Sequence, residues 1–290
     1  MKKIILFILI ITIGCNPREK ISINSTFVFN EASIHYKVDG DGEPVLFIHG
    51  GYLDLSMWDS QIDDLTKAGF QVIRYSDISH GKTESVKEEI LGCEIAKRLI
   101  DELGIKKINL VGLSWGAMLA ADYALTYPEN IDRMILVSPG LNGWQYFVDS
   151  LAAQNAQEGY KALERGDTLS YAESFQRNWT DGPRREKSKV NAKVREKIGS
   201  MIRSNLRSHG GKNWSKLQSP PAIERLEEIS CPTLLVVGEY DVLNIPLTAD
   251  LLSKRIQNTQ TYEMKSVEHT LNMENPKEFN RIVIEFLKEK

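Results

Sequence analysis

Three residues of this chain could do chemistry together: a serine between two glycines, a histidine near the C-terminus and an aspartate between them in sequence. Gly112-Leu113-Ser114-Trp115-Gly116 stands between an apolar run, Ile108–Val111, and a helix-forming run that begins at Ala117. A serine hydroxyl is a poor nucleophile until a neighbouring base takes its proton. At a helix N-terminus, free N–H groups and the helix dipole favour the negative charge that develops when serine attacks a carbonyl. The flanking glycines suit a strand-to-helix turn too tight for side chains on either side of it. Ser114 is the candidate nucleophile.

Of the five histidines, His35, His49, His80, His209 and His269, only His269 follows the last expected strand and precedes the C-terminal helix. That loop lies at the same sheet edge as Ser114, so His269 is the candidate base. The third group must hold the imidazole tautomer and stabilise its positive form. Asp241, in Gly238-Glu239-Tyr240-Asp241, sits just beyond another strand. Glu239 is its local rival, but two further residues let the loop turn towards the histidine. Glu268, next to the base, is expected to be solvated, since adjacent loop side chains rarely face each other. His49-Gly50-Gly51 ends an early strand, where a glycine lets the backbone present an N–H. The amides of Gly51 and Trp115 are the candidate oxyanion donors, and His49 is expected to pack and hydrogen-bond.

The elements that must position these residues alternate. Strands are expected at Thr26–Phe29, Ile34–Val38, Val45–Ile48, Val72–Tyr75, Ile108–Val111, Met134–Val137, Thr233–Val237 and Thr261–Met264. Helices are expected at Met57–Lys67, Lys87–Leu103, Ala117–Leu125, Leu247–Ile256 and Pro276–Leu287. Such alternation predicts an α/β fold, a mostly parallel sheet with helices on both faces. The alternation stops between Leu141 and Leu226, where the pattern is polar and helical. Residues 141–226 therefore read as a helical cap inserted over the sheet edge where ligands bind, with 26–140 and 227–290 as the core.

At 290 residues, with 42% hydrophobic and 26% charged residues, the chain can bury a large core without disulfides or metals. A net charge of −3 implies no bulk attraction to nucleic acid. No Cys/His spacing suggests a metal, and the chemistry above needs no cofactor. The stretch Asp181–Lys216 carries eleven Lys or Arg against three Asp or Glu. A solvated helical face is the plain reading; attraction for an anionic substrate or membrane surface is the functional one. Trp144, Tyr146, Phe147, Trp179 and Trp214 read as packing residues, and none is assigned to substrate.

The motifs at His49-Gly50-Gly51, Ser79-His80-Gly81, the Ser114 turn with Tyr127-Pro128-Glu129, Gly238-Glu239-Tyr240-Asp241 and His269 with Glu274-Asn275-Pro276 together resemble the α/β-hydrolase superfamily with a helical cap. The resemblance spans Phe27 to Leu287. It implies the α/β-hydrolase fold, a serine nucleophile and, independently of spacing, Asp241 as the acid. Where that family often reads Arg-Gly-His-Gly, this chain reads Ile78-Ser79-His80-Gly81. Met1-Lys2-Lys3, the apolar run Ile4–Ile13 and Gly14-Cys15 resemble a bacterial lipoprotein signal, although Thr12 stands where an aliphatic residue is usual. This implies a signal peptide over 1–14, lipid on Cys15, a polar tether over 15–25 and a place in the bacterial cell envelope, with simple secretion as the alternative.

The expected function is hydrolysis of a carboxylic ester or related acyl bond of a small molecule through an acyl-enzyme. Ser114-Trp115-Gly116 resembles prolyl aminopeptidases, which makes a peptidase the next reading. A C–C bond hydrolase and a non-catalytic surface binding protein are the others.

Overall fold

The computed structural model describes residues 21–144 and 148–289. Cys15, the expected signal segment and the first part of the tether lie outside them, as do Tyr146 and Phe147. Eight strands form one sheet: β1 (Ser22–Phe29), β2 (Ala32–Asp39), β3 (Glu43–Ile48), β4 (Phe70–Tyr75), β5 (Ile108–Leu113), β6 (Ile131–Val137), β7 (Thr233–Gly238) and β8 (Thr259–Met264). Their order is β1-β2-β4-β3-β5-β6-β7-β8, antiparallel in the first two pairings and parallel in the rest. β1 begins inside the stretch expected to be tether. It is an edge strand held by its ladder to β2 rather than by burial, with Ile23 and Val28 exposed. Its pattern therefore lacks the apolar alternation by which strands are found.

The helices are α1 (Ile62–Lys67), α2 (Gly92–Glu102), α3 (Trp115–Thr126), α4 (Ser150–Glu164), α5 (Thr168–Trp179), α6 (Ala192–His209), α7 (Asn244–Arg255), α8 (Leu271–Glu274) and α9 (Pro276–Leu287). Alternate strand residues feed opposite faces. Leu46 and Ile48 of β3 join a core with α2, α3 and α7, while Val45 and Phe47 join another with α1 and α9. α3 is buried over most of its surface, as an Ala-rich, apolar helix at the sheet centre must be. The helix expected from Lys87 starts only at Gly92. Before it, Ile90 and Gly92 exchange backbone hydrogen bonds with Lys216, which pins that chain to the inserted segment.

α4, α5 and α6 lie between β6 and β7. Each opens on a side-chain cap: Asp149 accepts from the amides of Leu151 and Ala152, Asp167 from Ser170, and Asn191 from Lys193 and Val194. Their apolar sides meet in a cluster that includes Tyr171, Ile198, Ile202 and Leu206.

Candidate active site

Ser114 ends β5 and opens α3 with φ 55° and ψ −106°. Such a conformation costs a non-glycine residue about 1–3 kcal/mol and persists only where its surroundings impose it. Here the neighbouring backbone does. A Cβ at Gly112 would lie 2.2 Å from the Gly116 carbonyl oxygen, and one at Gly116 would lie 2.3 Å from that of Ile48. Only glycine fits either position, so the turn can pass close beneath β3. The Ser114 amide donates to Val137 O at 3.0 Å, fixing the turn to β6.

Asp241 and His269 come together although 28 residues separate them. His269 Nδ1 lies 3.0 and 3.1 Å from the two Asp241 carboxylate oxygens. The Asp241 side chain is fully buried, and its Oδ1 also accepts from the Val242 amide at 2.8 Å. Ser138 Oγ donates to the His269 carbonyl, tying the histidine loop to the end of β6. Glu239 is turned elsewhere: it accepts from the Ser266 amide at 2.8 Å and stays partly exposed.

Glu268 corrects the expectation of a solvated side chain. It is fully buried, and neither carboxyl oxygen makes a well-formed hydrogen bond, the neighbouring His269 amide lying close enough only to act on it weakly. Burial, and then the charge of Asp241, push its carboxyl well above the usual range. The loop turns straight into α8, a helix too short for periodicity to reveal, so two adjacent side chains both point inwards. The Glu268 amide donates to Glu274 Oε1 at 2.7 Å, and Glu274 pairs with Arg185 of the inserted segment at 2.8 Å.

Ser114, His269, Gly51 and Trp115 all line one cavity of about 290 Å3. A Cβ at Gly51 would meet the Trp214 ring at 2.9 Å, so only bare backbone fits there. The loop that carries Gly51 rests on two buried histidines. His49 Nδ1 meets Gly50 O at 2.8 Å and its Nε2 accepts from the Asp77 amide at 2.9 Å. His80 Nδ1 meets Ile78 O at 2.8 Å and its Nε2 accepts from the Tyr52 amide at 3.2 Å. A ring that donates from one nitrogen and accepts at the other is neutral. Burial agrees, lowering both groups from 6.5 to about 4.

Ser79, where the resembling family often has glycine, adopts φ 63°. Its hydroxyl bonds Asn213 O at 2.8 Å and Ser85 Oγ at 2.9 Å, so it anchors the loop to the inserted segment. Asp77 beside it accepts from Trp115 Nε1 at 3.1 Å and Ser215 Oγ at 2.5 Å, holding both walls of the cavity at once.

The inserted segment supplies the aromatic wall. Trp179 packs on the His269 ring with centroids 4.5 Å apart, and Trp214 packs on Trp115 at 5.3 Å. Both had read as packing residues; both line the cavity, with Phe175 and Tyr160. Helical spacing cannot tell a core aromatic from one facing a cavity. Thr270 was also missed. Its hydroxyl is buried at the cavity wall with no hydrogen-bond partner, leaving a donor and an acceptor beside His269.

Several basic residues of the segment pair with carboxylates away from the cavity. Arg184 pairs with Asp149, Arg185 with Glu274, Arg195 with Asp181 and Glu173, and Lys197 with Asp59. Among the described residues, no Lys, Arg, Asp or Glu lines the cavity. Nor do the described residues hold a cluster of His, Cys, Asp or Glu fit for a metal ion.

Residues 43–276 match the family described as the alpha/beta hydrolase fold. The chain is 27% identical over 279 residues to the 2-hydroxy-6-oxononadienedioate/2-hydroxy-6-oxononatrienedioate hydrolase 1 of Pseudomonas putida, covering 89% of this chain and 92% of that one. It is 28% identical over 272 residues to the 2-hydroxy-6-oxo-6-phenylhexa-2,4-dienoate hydrolase of Comamonas testosteroni, with the same coverage. In fold it is similar to a thermophilic esterase from Thermogutta terrifontis, with TM-score 0.75, 23% identity and coverage of 93% and 98%. The chain belongs to the α/β-hydrolase fold family.

Proposed function

We propose that the protein is a serine hydrolase that cleaves a neutral carboxylic ester through an acyl-enzyme. Ser114 attacks the carbonyl and His269 takes its proton. Asp241 holds the imidazole with Nδ1 protonated and stabilises its charged form. The Gly51 and Trp115 amides receive the oxyanion. The alcohol leaves with the proton from His269; water then attacks the acyl-enzyme with His269 again as base, which frees the acid and Ser114. The observation that carries this reading is the paired Asp241–His269 at the cavity that Ser114 lines, with Ser114 held in a left-handed turn.

A second reading is hydrolysis of a C–C bond beside a ketone, favoured by the names of the relatives in Pseudomonas putida and Comamonas testosteroni. The substrates in those names carry one or two carboxylates. A buried carboxylate needs a cation or several donors, and the described cavity wall offers neither Lys nor Arg. The same wall lacks the acidic group that a peptidase would use for a free amine. The test is direct: the full-length protein is assayed on a panel of p-nitrophenyl esters, on aminoacyl anilides and on 2-hydroxy-6-oxo-6-phenylhexa-2,4-dienoate. Ester turnover, with fluorophosphonate labelling of the wild type and none of Ser114→Ala, supports the proposal. Turnover confined to the dienoate overturns it.

We also propose that the chain is exported and held to a bacterial membrane by lipid on Cys15. The basic start, the short apolar run and Gly14-Cys15 support this. One acyl chain anchors only marginally, so stable attachment needs the two or three chains of a lipoprotein. Cys15→Ser should lose palmitate-analogue labelling and membrane retention together; equal labelling and retention in the variant would refute it.

A further inference from the structure

Behind the cavity that Ser114 lines lies a second chamber of about 110 Å3. The two share Tyr52, Tyr160, Phe175 and Trp179 as walls. These rings form the partition between the two spaces: Tyr52 meets Phe175 edge-on with centroids 5.2 Å apart, and Phe175 and Trp179 pack with centroids 6.4 Å apart, so the wall is made of side chains and not of backbone. The chamber is made inside the inserted segment, between α4 and α5, by two small residues. Gly159 faces Ser174 so closely that a Cβ would lie 2.7 Å from its hydroxyl, and Ala156 contributes one methyl group to the wall.

The chamber's chemistry is narrow. Ser174 spends its hydroxyl on Asn155 O. Asn178 accepts from Asn155 Nδ2 at 2.8 Å and donates to Ala152 O at 2.9 Å. The polar groups of Ser174 and Asn178 are thus turned to the helices, the Tyr52 and Tyr171 hydroxyls hydrogen-bond each other, the Tyr160 hydroxyl is the remaining polar group, and no charged residue lines the space. An occupant gains by burying apolar surface and finds nothing for a charge. Apolar protein cavities of about 150 Å3 hold a benzene ring, so a space of this order suits the end of an alkyl chain or an aryl group.

We propose that this chamber is the subsite for the far end of an apolar acyl tail, making the substrates esters of medium-length or aryl-tipped acids. The proposal rests on the ester reading for its chemistry and adds the acyl class. With the carbonyl at Ser114, the tail runs past Trp179 and, with the Phe175 ring turned aside from its contact with Tyr52, ends against Ala156. The leaving alcohol stays on the other side, towards Thr270.

The test uses the full-length protein and two esters, p-nitrophenyl octanoate and p-nitrophenyl acetate. Ala156→Phe, which fills the chamber, should lower the octanoate-to-acetate ratio of kcat/KM by about ten-fold or more. Phe175→Ala, which opens the partition, should raise it, and decides the matter if Ala156→Phe does not fold. An unchanged ratio in the folded variants overturns the proposal. A binding experiment separates this from failure of the ester chemistry. Ethyl octanoate is titrated into Ser114→Ala and followed by tryptophan fluorescence, since Trp179 and Trp214 flank the cavity. Saturable binding that Ala156→Phe weakens about ten-fold supports the chamber even if no ester is turned over. Absence of saturable binding to folded Ser114→Ala overturns it.

Discussion

The two halves of the cavity are built on different principles. The sheet half is a set of backbone constraints. Ser114 is forced into a left-handed turn by glycines that nothing else can replace, and Asp241, His269, His49 and His80 are each fixed by hydrogen bonds of about 3 Å. The inserted half is a set of surfaces. Trp179, Phe175 and Trp214 present ring faces and edges, and the charged groups around them are paired away from the cavity. On the proposed reading, the first half decides what bond is attacked and the second what shape is held. Substitutions in the first should act on turnover almost irrespective of substrate, and those in the second should act through substrate structure.

The largest expected effect is on the sheet side. Ser114→Ala and His269→Ala should each lower kcat by up to about 10⁶-fold, and the double variant should be hardly worse, because the two groups act as one unit. Additive losses would break the idea of a shared step. Asp241→Asn comes next, at about 10⁴-fold, since it favours the wrong imidazole tautomer. Glu239→Gln is the control: its carboxylate holds the Ser266 amide, not the histidine, so turnover should change little. If it proves the more damaging change, the acid has been misassigned.

Stability offers a third contrast. The His49 and His80 rings are buried and neutral, with pKa lowered from 6.5 to about 4. Below pH 6.5 the unfolded chain takes up protons that the folded chain refuses, so stability is full above that value and drains as pH falls towards 4. The loss is at most about 3 kcal/mol per histidine. Denaturant midpoints across this window should fall steeply in the wild type and less in His80→Gln. A parallel slope would show that the acid sensitivity lies elsewhere. On the inserted side, Trp179→Ala should cost about ten-fold in kcat/KM for an octanoate ester and less for an acetate, by removing a wall of the acyl cavity, while Lys193→Ala, on an exposed face of α6, should cost nothing measurable for either. Equal effects would erase the distinction between surface and charge.

The same contrast explains what could be read from the sequence. Ser114, Asp241, His269 and Gly51 were legible because each sits at a strand end, and strand ends are marked by apolar runs and glycines. The core strands were legible for the same reason, short by one to three residues at their ends. β1 was found only from Thr26 because its Ser22–Ser25 portion is exposed. The aromatic wall was not legible. Trp179 and Trp214 lie 35 residues apart on elements whose mutual packing no local pattern encodes, and whether a tryptophan meets a core or a cavity depends on that packing. Thr270 and Glu268 escaped for a third reason: the single turn of α8 re-aims the residues on either side of His269.

Glu268 supplies the smallest and most diagnostic effect. A buried carboxyl without a well-formed hydrogen bond costs stability even when protonated, because its polar atoms have left water for little in return. Its folded pKa is raised well above 4.5 by burial and by Asp241. Between 4.5 and that raised value the folded chain keeps a proton that the unfolded chain releases, so this group's contribution to stability worsens as pH rises through the window. Glu268→Met keeps the volume and removes the polar atoms. It should raise Tm by roughly 2–4 °C at mildly alkaline pH, with the gain shrinking towards pH 4.5. Turnover should respond much less than in Asp241→Asn, since of the two carboxyls it is Asp241 that hydrogen-bonds the imidazole. A variant less stable than the wild type at every pH would mean that the carboxyl is held by a partner. A variant with the stability gain but an Asp241-sized loss of turnover would mean that the acid of this site is a pair of carboxyls sharing one negative charge, one on each side of the histidine's own loop.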